Sequence, residues 1–146
     1  SNTRLLRDRL LIDKAAAATH VPLHAEAAAP EDKLDELAQG VAACLPLSVC
    51  LLGMGADMHT ASLFPGADQL QAALQGDEVL YAMRAPGAPE PRVTLSARVL
   101  KDAMTCHVVI TGHEKREALE KARSLSPEEA PIAAVLPGAT VHWAES

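Results

Sequence analysis

Two short apolar runs constrain this chain most, residues 47–52 (LSVCLL) and 106–111 (CHVVIT). Each is cut off at once by glycine, Gly53 and Gly112. A nearly continuous apolar run of strand length reads as a strand buried on both faces, as in a parallel sheet. After the second, residues 114–122 carry the spacing of a charged helix. Strand, glycine turn and helix, repeated, is the rhythm of an α/β fold. The expected architecture is therefore α/β, a mostly parallel sheet flanked by helices, in a single domain over residues 1–146.

The rest of the chain fits around that frame. Ser1, Asn2 and Thr3 can cap a helix that begins immediately. Leu6 and Leu10, with Leu5 and Ile12, give it an apolar stripe that predicts an end near residue 17. Residues 20–29 read as an extended link. Pro30, Glu31 and Asp32 open a second helix, in which Leu34, Leu37, Ala38, Val41 and Ala42 recur at helical spacing until Pro46 stops it. Residues 57–64 should include a helical turn, closed by Pro65 and Gly66. Residues 68–74 suggest a short helix and 79–85 a strand. Residues 85–91, with three prolines, read as a loop. A helix capped by Ser96 should follow over 95–104. The segments 131–136 and 141–144 are a short apolar piece and a last small strand.

Charge and composition exclude several classes. The net charge is −6 and aromatics make up 2%. A nucleic-acid partner, which calls for a basic stripe or stacking platforms, is not expected. No apolar run reaches the roughly 20 residues that span a bilayer. Nor is there a leader-like start, so a cytoplasmic protein without a membrane partner is expected. Cys44, Cys50 and Cys106 lack metal-ligand spacing and read as buried, reduced thiols. No HExxH-type pattern joins the six histidines, and no metal site is expected.

Ligands in open α/β sheets bind beyond the carboxyl ends of the strands. Two such ends stand out, residues 53–60 (GMGADMHT) and 112–115 (GHEK). The first gathers Gly53, Gly55, Asp57, His59 and Thr60, with Ser62 close behind. Glycines let backbone approach a ligand, and a histidine can move a proton near neutral pH. Asp57 could orient that histidine or hold a substrate hydroxyl. His59 could equally cap a helix or pack in a polar pocket, and Arg92 and Lys115 could be solvated surface charges. A dinucleotide fingerprint would need glycine where Met58 stands, and the Gly-Lys-Ser/Thr of a P-loop is absent.

Three blocks carry a resemblance. Residues 53–66 (GMGADMHTASLFPG) resemble the signature loop of the 6-phosphogluconolactonases, 91–95 (PRVTL) their second motif, and 112–119 (GHEKREAL) their third. Ser1 and Asn2 resemble the end of a motif that in the family follows an Asp-Glu-Arg segment. The resemblance implies a Rossmann-like fold shared with glucosamine-6-phosphate deaminases and ribose-5-phosphate isomerases. It implies hydrolysis of 6-phospho-D-glucono-1,5-lactone, a sugar-phosphate lactone, without a cofactor. The chain would then be the C-terminal portion of such a domain, lacking its N-terminal strands. By this likeness His59 is the general base with Asp57 beside it. Arg92 and Lys115 hold the phosphate or nearby oxygens. Asn2, Thr60 and the backbone of Gly53 and Gly55 line the substrate, with N–H groups of that turn facing the oxyanion. The family usually has glycine at the place of Met58. If that place needs positive φ, methionine is strained there, and its side chain could narrow the pocket. The nearest alternatives are a sugar-phosphate deaminase or isomerase and a non-catalytic sugar-phosphate sensor. The oligomeric state is left open.

Overall fold

The computed structural model describes residues 2–146. Its centre is a three-stranded parallel sheet in the order β1-β4-β5, formed by Val49–Leu52, Thr105–Thr111 and Ala139–Ala144. Cys50 pairs with Cys106 and Val108 with Val141 in its register. Helices α3 (Leu70–Gln75), α4 (Ala97–Lys101) and α5 (His113–Ala122) join these strands. An antiparallel ribbon, β2 (Leu80–Ala85) and β3 (Ala88–Leu95), lies within the β1-to-β4 connection. The α/β class with a parallel sheet and flanking helices is thus as read from the sequence.

The core gathers Leu52, Leu63, Met83, Leu100, Val108, Ile110, Leu119 and Ile132. A smaller cluster of Leu37, Val41 and Leu80 seats α2 (Leu34–Ala42) against the ribbon. Ser96 caps α4 by accepting from the Val99 N–H, as expected. The cap assigned to Ser1 lies outside the described residues.

Several expectations are corrected. β1 is not buried on both faces: Cys50 and Leu52 are 5% and 8% exposed, but Val49 and Leu51 are 62% and 70% exposed. Val109 of β4 is exposed on the same side. The described helices bury one face of the sheet, so burial alternates along strands whose sequence does not. Residues 88–91 are strand rather than loop, after a tight turn at Pro86 and Gly87. The ribbon pairs Ala85 with Ala88 and then Met83 with Arg92, so β3 bulges where Pro89 and Pro91 lie. Proline is tolerated there because, among the described residues, β3 pairs only with β2. The first helix, α1, spans Asn2–Arg9 and not residues to 17, and a short 3-10 turn follows at Asp13–Ala15. Asp13 has φ 48°, which no α-helix accommodates. Residues 30–33 form a 3-10 turn before α2 becomes regular.

Candidate active site

β1 and β4 are parallel neighbours, so the turns that leave their carboxyl ends open on one edge of the sheet. Between them lies a cavity of about 390 Å³ lined by Gly53, Met54, Gly55, His59, Ala61 and Lys115, together with Leu51 and Leu52. Lys115 reaches it from the first turn of α5, whose start is set by Gly112. That residue has φ 85° and ψ 159°, a conformation open to glycine alone.

The loop that carries His59 is not helical. Met58 and Ala61 have φ 67° and 50°, and Thr60 and Leu63 form an isolated bridge. The strain foreseen at Met58 is therefore present, of order 1–2 kcal/mol per residue in this region. Its side chain packs on the main core and its carbonyl accepts the Ile132 N–H at 3.0 Å. It does not line the cavity, so it does not narrow it.

His59 is oriented twice by Asp57. One carboxylate oxygen, Oδ1, accepts the His59 backbone N–H at 3.2 Å and stands 2.5 Å from Nδ1. A carboxylate can only accept, so Nδ1 carries a proton, and in the neutral ring Nε2 is then the nitrogen with the lone pair. Nε2 makes no hydrogen bond with any described residue. Gly55 makes this geometry possible, because a Cβ there would overlap the imidazole of His59 and the carboxylate of Asp57. At Gly53 a Cβ would meet open space.

Two expected substrate contacts fall elsewhere. Thr60 is fully buried and its hydroxyl donates to the Gly53 carbonyl at 2.9 Å. It fastens the loop and does not face the cavity. The Gly55 N–H donates to the His59 carbonyl at 3.0 Å, so it is not a free oxyanion donor. Ser62 is fastened as well, its N–H donating to the Thr94 hydroxyl of β3.

Arg92 and Asn2 line a second cavity, of about 640 Å³, together with His20, His24, Ser62 and Glu90. Ser62 and Ala61, adjacent in the chain, border the two cavities in turn. Neither Arg92 nor Lys115 makes an ion pair with a described residue. The two sites meet at Phe64, on which the His59 ring stacks with centroids 4.3 Å apart and over which the Arg92 guanidinium lies at 5.8 Å.

The sequence profile of the glucosamine-6-phosphate isomerases/6-phosphogluconolactonase family matches residues 1–143. The chain belongs to this family. A relative in Rhizobium meliloti (strain 1021), a 6-phosphogluconolactonase, is 42% identical over 99% of the chain and 66% of its own length. The 6-phosphogluconolactonase of Pseudomonas aeruginosa is 37% identical over 98% of the chain and 62% of its own. The crystal structure of a 6-phosphogluconolactonase from Shewanella baltica superposes with a TM-score of 0.92 at 30% identity, covering 98% of this chain and 64% of that one. A monomeric glucosamine-6-phosphate deaminase, 17% identical with a TM-score of 0.63, shares the fold. The chain thus spans less than two thirds of the length of these lactonases.

Within this family fold His20, His24 and Glu90 share the second cavity with Arg92, whereas His107, His142 and His113 have partners of their own. Nδ1 of His107 is 3.0 Å from Nε2 of His142 on the open sheet face, and His113 pairs with Glu145 at 3.2 Å. Among the described residues no three His, Cys, Asp or Glu gather as metal ligands. Burial, with Cys106 alongside, pushes the Cys50 thiol up to about 11, and burial raises Cys106. Cys44, expected to be buried, is exposed. Sequence reasoning passed over two residues, Phe64 and Trp143, whose indole donates to the Gly112 carbonyl at 3.0 Å beside α5. The signal available was rarity, for each is the only residue of its type in the chain.

Proposed function

We propose that this chain carries the reacting part of a 6-phosphogluconolactonase. It would hydrolyse 6-phospho-D-glucono-1,5-lactone to 6-phosphogluconate in the cytoplasm. The observation that carries the reading is the Asp57–His59 pair, which in its neutral form presents Nε2 as a base in a cavity shared with a lysine that has no ion-pair partner among the described residues. The substrate has an ester carbonyl at one end and a phosphate at the other. The two neighbouring cavities offer a base with Lys115 and, across Ala61 and Ser62, Arg92 with Asn2.

In the reaction a water oxygen bonds to C1 while His59 Nε2 takes its proton. The oxyanion that forms is met by the Lys115 ammonium, in place of the Gly55 N–H that the loop has already used. The C1 to ring-oxygen bond then breaks, and the proton on Nε2 passes to the departing oxygen, leaving a hydroxyl and a carboxylic acid, which gives up its remaining proton to solvent and becomes the carboxylate. Such acid–base help is worth about 10²–10⁴-fold. Arg92 and Asn2 hold the phosphate. Similarity to named lactonases, with relatives at 37–42% identity, supports this reaction over the deamination named for the distant neighbour.

The test is hydrolysis of fresh lactone coupled to 6-phosphogluconate dehydrogenase. His59→Ala should lose most turnover with little change in KM. Near-normal turnover in His59→Ala would overturn the assignment of the base, and ammonia release from glucosamine 6-phosphate by the parent would overturn the reaction.

A further inference from the structure

Phe64 touches both His59 and Arg92, one from each half of the site. Its ring is 5% exposed and lines neither cavity. The His59 imidazole stacks on it at 4.3 Å with 26° between planes, and the Arg92 guanidinium lies over it at 5.8 Å. The β2–β3 turn comes up beside it. A Cβ on Gly87 would sit 3.7 Å from Phe64 Cδ1 and 3.6 Å from Asp57 Oδ2, in ordinary contact with both.

We propose that Phe64 is a positioning residue that sets the plane of the His59 imidazole and the approach of the Arg92 guanidinium. The proposal deepens the reading above and rests on it. Asp57 fixes where Nδ1 sits, but one hydrogen bond leaves the ring free to turn about it, and the outer torsion of a histidine is soft. A flat aromatic surface removes that freedom, and the position of Nε2 relative to a substrate carbonyl follows. The same surface attracts a guanidinium through the negative face of the ring. A branched aliphatic side chain would fill the space but offer neither a plane nor a quadrupole.

The experiment compares Phe64→Leu with Phe64→Tyr, both checked for folding by circular dichroism. In Phe64→Leu, kcat should fall about tenfold to a hundredfold, the scale of a misplaced catalytic group. KM should rise about two- to fivefold, the scale of a lost cation–π contact. Phe64→Tyr keeps the ring and should restore both to within about twofold. In parallel, the His59 ring protons are observed by NMR without substrate. Stacking should shift them upfield in the parent and in Phe64→Tyr, and Phe64→Leu should release them. A folded Phe64→Leu with parental kcat, or with unmoved His59 resonances, overturns the proposal. If the parent itself hydrolyses no lactone, the reaction reading fails. The resonances then decide the positioning alone, a Phe64-dependent shift supporting it and an independent one overturning it.

Discussion

Residues 53–66 and residues 2–33 both line cavities, yet they are held in different ways. The first segment buries Met54, Thr60, Leu63 and Phe64 and is fastened by hydrogen bonds from Gly55, Thr60, Ser62 and Ile132. The second buries nothing in α1 or its 3-10 turns, and Leu5, Leu10 and Ile12 are exposed. The difference matches what each has to do. A general base needs its lone pair placed within a fraction of an ångström. Asn2, the residue of the second segment assigned to the phosphate, forms no bond in the reaction, and the charge that attracts the phosphate, Arg92, is carried by β3.

The comparison can be broken at its tight end first. Gly55→Ala should cost about a hundredfold in kcat, because the new methyl displaces the His59 ring while the fold, measured by thermal melting, stays intact. Unchanged turnover would mean that His59 is not held as described. Next, Leu63→Ala should lower unfolding free energy by about 2–5 kcal/mol in denaturant titrations. Leu10→Ala should stay within about 0.5 kcal/mol. Equal effects would erase the contrast between the segments. In the second cavity, which Arg92 enters from β3 opposite residues 2–33, Arg92→Gln should raise KM severalfold and leave kcat nearly alone, as steady-state kinetics would show.

The smallest effect concerns pH. The folded Cys50 thiol ionises only near 11, whereas an unfolded thiol does so near about 8.5. Between those values the unfolded chain releases a proton that the folded chain keeps, so stability declines as pH rises through that window. Cys50→Ala should flatten that decline in melts taken from pH 8 to about 11. At neutral pH a thiol reagent should reach exposed Cys44 and spare Cys50.

What the sequence revealed, and what it hid, follows the same division. The strand, glycine turn and helix rhythm was legible at β4, Gly112 and α5 because it depends on local chemistry, whereas after β1 and Gly53 no helix forms before Leu70; the edge on which Gly53 to His59 and Lys115 meet was legible too. Strain at Met58 could be foreseen from its place in the loop. Burial on one sheet face could not be read, because Val49 and Leu51 are as apolar as the residues they alternate with. The bulge that admits Pro89 and Pro91 depends on β3 having a single neighbour, which is a fact of topology. Thr60 looked like a ligand contact for the same reason it serves as a staple: a hydroxyl beside a glycine can donate to either. Phe64 acts through stacking with residues at two distances along the chain, and no local pattern announces that.

The most direct test of a two-part site is to compare this chain's rate enhancement, above spontaneous hydrolysis, on 6-phosphogluconolactone and on glucono-1,5-lactone without phosphate. The account predicts clear acceleration of the phosphorylated lactone and a far weaker effect on the other, with the gap narrowed by Arg92→Gln. Equal acceleration of both, or none of either, would contradict it.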